Sequence, residues 1–163
     1  MARYDSSSAE ILVFTFKEGL LSAVAHDLKL KATKFTLELE GDSAKLELEA
    51  GSLRVVAAMK DGVEQPSAIA ASKFAEIEKN AFTDVLETRR YPLIQFVTTQ
   101  VTDTAVVGKL TIHGQTHEVR GRRSGQTVEF QVDQRTFGMK PYSAMLGALR
   151  VKPELTVKVK LSV

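Results

Sequence analysis

Three histidines carry most of the chemistry this chain can offer, because it has no cysteine at all. Thiolate nucleophiles, disulfides, iron–sulfur clusters and cysteine zinc sites are therefore excluded. His26 stands directly before Asp27. A histidine beside a carboxylate can orient a polar head group or move a proton near neutral pH. Neighbours on a strand point to opposite faces, so the two cannot form one coplanar dyad there, and a turn-tying role is the plainer reading. His113 and His117 flank Gly114-Gln115-Thr116. Two histidines across a hairpin, with His26 brought near, would make a histidine-rich metal site. The spacing is not that of a helical pair, and no acid in the stretch is placed as a further ligand, so no metal is assigned. A metal-dependent or acid–base enzyme using His26, Asp27, His113 and His117 stays as an alternative. Neither a Gly-x-Ser-x-Gly elbow nor a Gly-rich phosphate loop followed by Lys-Ser/Thr occurs.

Charge narrows the partners. The 163 residues carry a formal net charge of +2, and a nucleic-acid binder would gather a basic surplus on one face. Arg120-Gly-Arg-Arg123 has no interleaved aromatic and reads as a solvated face. No apolar run reaches the ~18–20 residues of a membrane helix, so no transmembrane segment is expected. Met1–Ser8 has no leader pattern. The expected location is cytoplasmic for the chain as written, and periplasmic if a leader has been removed.

The elements that must position these residues are mostly strands. Leu12, Phe14 and Phe16 share one parity, as do Leu28 and Leu30, then Phe35, Leu37 and Leu39. Leu46 and Leu48 follow, then Leu53, Val55 and Ala57, Ile94 and Phe96, Val106 to Ile112, and Val128, Phe130 and Val132. Leu155, Val157, Val159 and Leu161 close the series against Lys158 and Lys160. Strict alternation predicts half-buried antiparallel strands. Glu40-Gly41-Asp42, Lys60-Asp61-Gly62, His113-Gly114-Gln115 and Ser124-Gly125-Gln126 punctuate them as turns. Phe74, Ile77, Ala81, Phe82 and Val85 break the period and trace one face of a helix over about 73–88, with Ser72 as a plausible N-cap. The result is an all-β, antiparallel domain of about eight strands with one inserted helix, spanning 1–163, with 1–9 as a flexible N-terminus. Closure into an eight-stranded barrel removes the exposed edges; a two-sheet sandwich competes, and periodicity does not separate them.

The inward parities carry Leu, Val, Ile, Phe, Ala and Thr and almost no charge. A barrel of this size is either filled by its side chains or holds one small ligand, and composition alone favours filling. If it is hollow, its occupant must be apolar. Phe137–Leu149 is apolar, has no period and contains Gly138, Pro141 and Gly147. Such a segment suits a lid over an apolar mouth or a loop packed permanently on the barrel end. Arg135, Lys140, Arg150 and Lys152 flank it.

Phe14-Thr-Phe16 leading to His26, a helix ending in Val85-Leu86, and Arg90-Tyr-Pro-Leu-Ile-Gln-Phe96 appear in this order. Val107-Gly-Lys-Leu-Thr-Ile-His-Gly-Gln-Thr116, Arg135-Thr-Phe-Gly138 and a closing strand follow. Over Ile11–Val163 the chain resembles the YceI-like family of the polyisoprenoid-binding type, in a variant branch that carries His26-Asp27 as an adjacent pair. The resemblance implies a lipocalin-like barrel whose interior binds an elongated apolar chain, isoprenoid-like or acyl, without catalysis. It shifts the expectation from a filled interior to a tunnel. Phe14, Phe16, Phe35, Phe96, Phe130 and Phe137 are then candidate wall residues, and His26 and Arg135 candidate polar contacts at an opening. No cofactor is expected beyond a bound lipid or isoprenoid. The expected partner is a small hydrophobic ligand, with a homodimer left open and a protein-binding barrel as the third reading.

Overall fold

The computed structural model describes residues 1–20, 22 and 25–161; the apolar run before His26 lies partly outside them. The first half of the chain forms β1 (Ala2–Tyr4), β2 (Ala9–Thr15), β3 (Lys17–Glu18), β4 (Asp27–Ala32), β5 (Phe35–Glu40), β6 (Ser43–Glu49), β7 (Leu53–Lys60) and β8 (Val63–Gln65). A short helix α1 (Phe74–Asn80) separates these from β9 (Leu93–Val101), β10 (Ala105–Ile112), β11 (Gln115–Ser124) and β12 (Thr127–Asp133). β13 (Ser143–Ala144), β14 (Leu149–Val151) and β15 (Glu154–Leu161) complete the chain. The protein is all-β and antiparallel with one short helix, as the alternation predicts. All four turn signals form turns.

The strands are more numerous than the expected eight. They make one twelve-stranded sheet, in the order β1-β5-β6-β9-β10-β11-β12-β15-β2-β4-β7-β8, and a separate three-stranded sheet, β13-β14-β3. The additions β1, β3, β8, β13 and β14 are two or three residues long, too short to display a period. Residues 2–4, expected in a flexible N-terminus, pair with β5. β5–β6 lies near one end of the order and β4–β7 near the other, yet the chain passes between them directly twice. Across that corner Thr33 donates its N–H to the Ser52 carbonyl (3.1 Å) and Glu49 donates its N–H to the Lys34 carbonyl (3.0 Å). Thr33 Oγ1 and the Ser52 hydroxyl add side-chain bonds to the same joint.

α1 is held by one face against β7 and the core beside it. Ile77 packs with Phe74, Phe82 and Leu86 against the buried cluster of Leu30, Leu53 and Val55. Glu78 accepts the backbone N–H of Val55 at 2.9 Å, anchoring the helix to β7. The expected cap at Ser72 does not form: a 3-10 turn, Ala71–Lys73, precedes α1, and no side chain caps either element. A π-turn over Ala81–Val85 extends α1, with Leu86 N–H bonding the Ala81 carbonyl at 2.8 Å. No helix among the described residues is long and apolar enough to cross a membrane.

Candidate functional site

The sheet lines a cavity of about 600 Å³. Its walls are the inward parities of successive strands. β15 contributes Leu155, Val157, Val159 and Leu161, and β12 contributes Val128, Phe130 and Val132. β9 adds Ile94 and Phe96, β6 adds Leu46 and Leu48, and β4 adds Leu28 and Leu30. The lysines of β15 alternate outward, which is why the strand can be charged and still line a hydrocarbon surface. Lining residues reach the β5–β6 turn at Asp42 and the β11–β12 turn at Gln126. Away from these turns the lining includes Lys17, His26, Asn80, Tyr142 and Arg150. Polar side chains thus gather at the ends and leave the middle apolar. Among the described residues no buried side-chain nitrogen or oxygen lacks a partner.

Of the eight side chains singled out in the sequence, three border this cavity: His26, Phe96 and Phe130. Phe14 and Phe16 do not, because Ile11, Val13 and Thr15 hold the inward parity of β2. Both parities of β2 are apolar, so alternation could not choose between them. The outer one is covered by amphipathic stems. Leu12 is only 3% exposed and lies opposite Lys31 and Lys158, and the Lys158 ammonium sits 5.5 Å from the Phe14 ring centre. Phe35 and Phe137 are buried in the two core clusters outside the lining. Arg135 is pinned on the surface, its guanidinium 2.8 Å from Asp133 and 3.5 Å from Glu154. The hydrogen bond from that guanidinium, with the Arg135 backbone N–H, holds the Asp133 carboxyl below its ordinary range.

The histidines separate. His113 and Gly114 both have positive φ, +55° and +73°, the pattern of a type I′ hairpin turn. The His113 ring packs at a tilt of 53° against Tyr91, 4.5 Å between centres, and hydrogen-bonds Glu87. Glu87 is the acid partner that the local sequence did not reveal, because it lies 26 positions away. That hydrogen bond, and then the charges of His113 and Arg90, depress the Glu87 carboxyl below its usual value. His117 meets Gln115 and the edge of Phe137. Neither histidine lines the cavity, and no group of three metal-ligating side chains occurs among the described residues. Asp27 accepts the Lys17 backbone N–H at 2.8 Å, joining the start of β3 to the start of β4.

Two glycines decide where the wall aromatics sit. Gly121 faces Phe130 across the β11–β12 ladder, and a Cβ there would come within 2.8 Å of the ring. A Cβ on Gly108 would meet the Phe96 ring at 2.5 Å. Each ring lies over a bare backbone patch, the pairing by which an aromatic covers a strand glycine. The two rings then meet edge to face at 5.4 Å, a favoured aromatic geometry. Gly121 stands directly opposite Phe130, whereas Gly108 pairs with Thr98 and meets Phe96 on the diagonal, a relation that needs the strand register to be read.

The structure is similar to a polyisoprenoid binding domain from Saccharophagus degradans implicated in plant cell wall breakdown, at 8% identity over 94% of each chain and a TM-score of 0.46. It is also similar to a mutant CJ YCEI protein carrying a monobromobimane guest, at 9% identity over 82% of this chain and 85% of that one, with a TM-score of 0.44. No curated protein matches the sequence. The YceI-like domain model matches residues 4–163, and the chain belongs to that family.

Proposed function

We propose that this protein is a non-enzymatic carrier that holds one elongated apolar chain, isoprenoid-like or acyl, within its cavity. The observation that carries the reading is the continuity of the hydrocarbon wall, to which strands from all around the sheet each contribute their inward residues. In this proposal the sheet closes as an eight-stranded barrel. β4 with β5 forms one long bent strand, and β6 with β7 forms another. Their pairing runs from Ala32↔Leu53 through the corner hydrogen bonds to Phe35↔Leu48. β4 pairs with β2 and β6 with β9, so the bent pair bridges the two flanks of the remaining six strands. Closure of this kind removes long edges.

At about 30 Å³ per water-sized group, a cavity of this volume takes about twenty methylene-sized groups. Each buried CH₂ contributes about 0.8 kcal/mol. Ordering and immobilising a chain offset most of that sum. A conservative ~0.3 kcal/mol per atom still gives ~6 kcal/mol for twenty atoms, a dissociation constant of tens of micromolar. No ion pair is needed. His113 and His117 make their contacts outside the cavity, which favours binding over acid–base chemistry.

Organic extraction of the purified protein followed by mass spectrometry tests the proposal. It expects a long-chain hydrocarbon, or stoichiometric uptake of prenyl or acyl probes by the extracted protein. A chain that is empty and takes up neither refutes it.

A further inference from the structure

We propose that the paired loops at the Lys17–Arg150 end of the cavity dock on an anionic lipid bilayer. The inference rests on the carrier reading and names where the carrier would exchange its ligand. β3 pairs with β14, Glu18 opposite Arg150. The Gly19–Leu20 tip therefore lies against the Met145–Ala148 loop, so closely that a Cβ on Gly19 would be 2.5 Å from the Ala148 carbonyl oxygen. The side chains leaving these two tips face solvent: Leu20 is 94% exposed, Met145 66% and Leu146 108%. Large apolar groups gathered at one place mark an interaction surface. Met145, Leu146 and Gly147 also hold three successive positive φ values, +52°, +57° and +88°. That backbone region is unfavourable for methionine and leucine, and strain of this kind is concentrated at functional loops.

The strands that carry these tips also border the cavity: Lys17, Ala144, Leu149 and Val151 line it. Their charge selects the partner. Of the four basic side chains in residues 135–152, Arg135 is held by Asp133 and Glu154 and Arg150 by Glu18, which leaves Lys140 and Lys152 to carry the charge. Lys140 and Lys152 are exposed, while Glu18, the acid of the opposing loop, is paired with Arg150 at 2.8 Å. An apolar tip on a segment flanked by two exposed lysines fits the boundary of an anionic bilayer, with the tip among the acyl chains and the lysines at the head groups. A second copy of the chain would set these lysines against their own copies.

The test is co-sedimentation of the full chain with vesicles of phosphatidylglycerol and phosphatidylcholine, compared with phosphatidylcholine alone. Wild type is expected to prefer the anionic vesicles and to release them as salt rises. The triple variant L20S/M145S/L146S is expected to bind at least about tenfold more weakly, and K140E/K152E to lose the anionic preference. All five positions are exposed, so melting temperature and uptake of a soluble acyl probe are expected to stay at wild-type values. Equal vesicle binding by wild type and the triple variant overturns the proposal. So does a wild type that takes up probes but ignores vesicles, which leaves the carrier reading standing. A dimer dissolved by the serine substitutions, without vesicle binding, overturns it in favour of self-association. Vesicle binding through these tips by a chain that takes no probe supports the docking surface and removes the carrier.

Discussion

Gly121→Ala is a small change with a large expected consequence. The new methyl would lie 2.8 Å from two carbons of the Phe130 ring and 3.0 Å from the Glu129 carbonyl oxygen. Backbone on one side cannot give way, so the ring must. Phe130 lines the cavity and packs against Phe96, and the space available to it is the cavity itself. Overpacking of this kind costs about 1–3 kcal/mol, and spoiling the edge-to-face pair about 0.5–1.5 kcal/mol more. For a chain of this size each kcal/mol lowers the melting temperature by roughly 2–4 °C. Thermal melts should therefore fall by roughly 3–18 °C, and a long-chain acyl probe should bind more weakly because the displaced ring occupies its path. Phe130→Leu in the same background should recover part of both losses, a coupling expected only if the two residues touch. A Gly121→Ala protein that melts and binds like wild type would refute the placement of Phe130, and with it the register of β11 on β12.

Other substitutions separate wall from scaffold. Leu12→Ala removes a buried side chain on the outer face of β2 and should cost about 2–5 kcal/mol while leaving probe affinity unchanged; weakened binding at equal foldedness would place Leu12 in the wall. Glu78→Ala leaves the Val55 N–H without its acceptor and should cost about 1–3 kcal/mol by denaturant titration, with exchange protection lost first in α1. The carboxyl of Glu87 has a depressed pKa, so its contribution is present above the unfolded value of about 4.3 and is lost as pH falls through the folded one. Glu87→Gln should accordingly melt lower than wild type at neutral pH, and the two curves should converge in acid. A constant gap at all pH values would exclude the carboxylate as the source.

Alternation located the strands well because their inner faces are apolar and their outer faces carry Lys, Glu and Thr, as in β6 and β15. It gave no guidance on β2, where Leu12 and Phe14 are as apolar as Ile11 and Val13, and the parity was settled only by the lysines of β4 and β15 that cover the outer side. The helix was legible from Phe74, Ile77 and Val85, and it starts beside the expected Lys73, but the Ser72 cap was not legible, because the chain enters α1 through a 3-10 turn. The corner between β4–β5 and β6–β7 interrupts the period at Thr33-Lys34 and Ala50–Ser52, where hydrogen bonds rather than hydropathy carry the connection. His113 acquires its meaning from Glu87 and Tyr91, contacts between distant segments that local spacing does not encode. Arg135 was a plausible head-group contact until Asp133 and Glu154 claimed its guanidinium.

A carrier of this kind must admit a hydrocarbon chain into the cavity along its length. Calorimetric titration of the extracted protein with a homologous series of straight-chain ligands measures this directly. Affinity should rise with each added methylene, up to about fourfold per CH₂, and level off near twenty carbons, where the cavity volume is exhausted. Affinity that is indifferent to chain length, or that keeps rising well past that length, would contradict it.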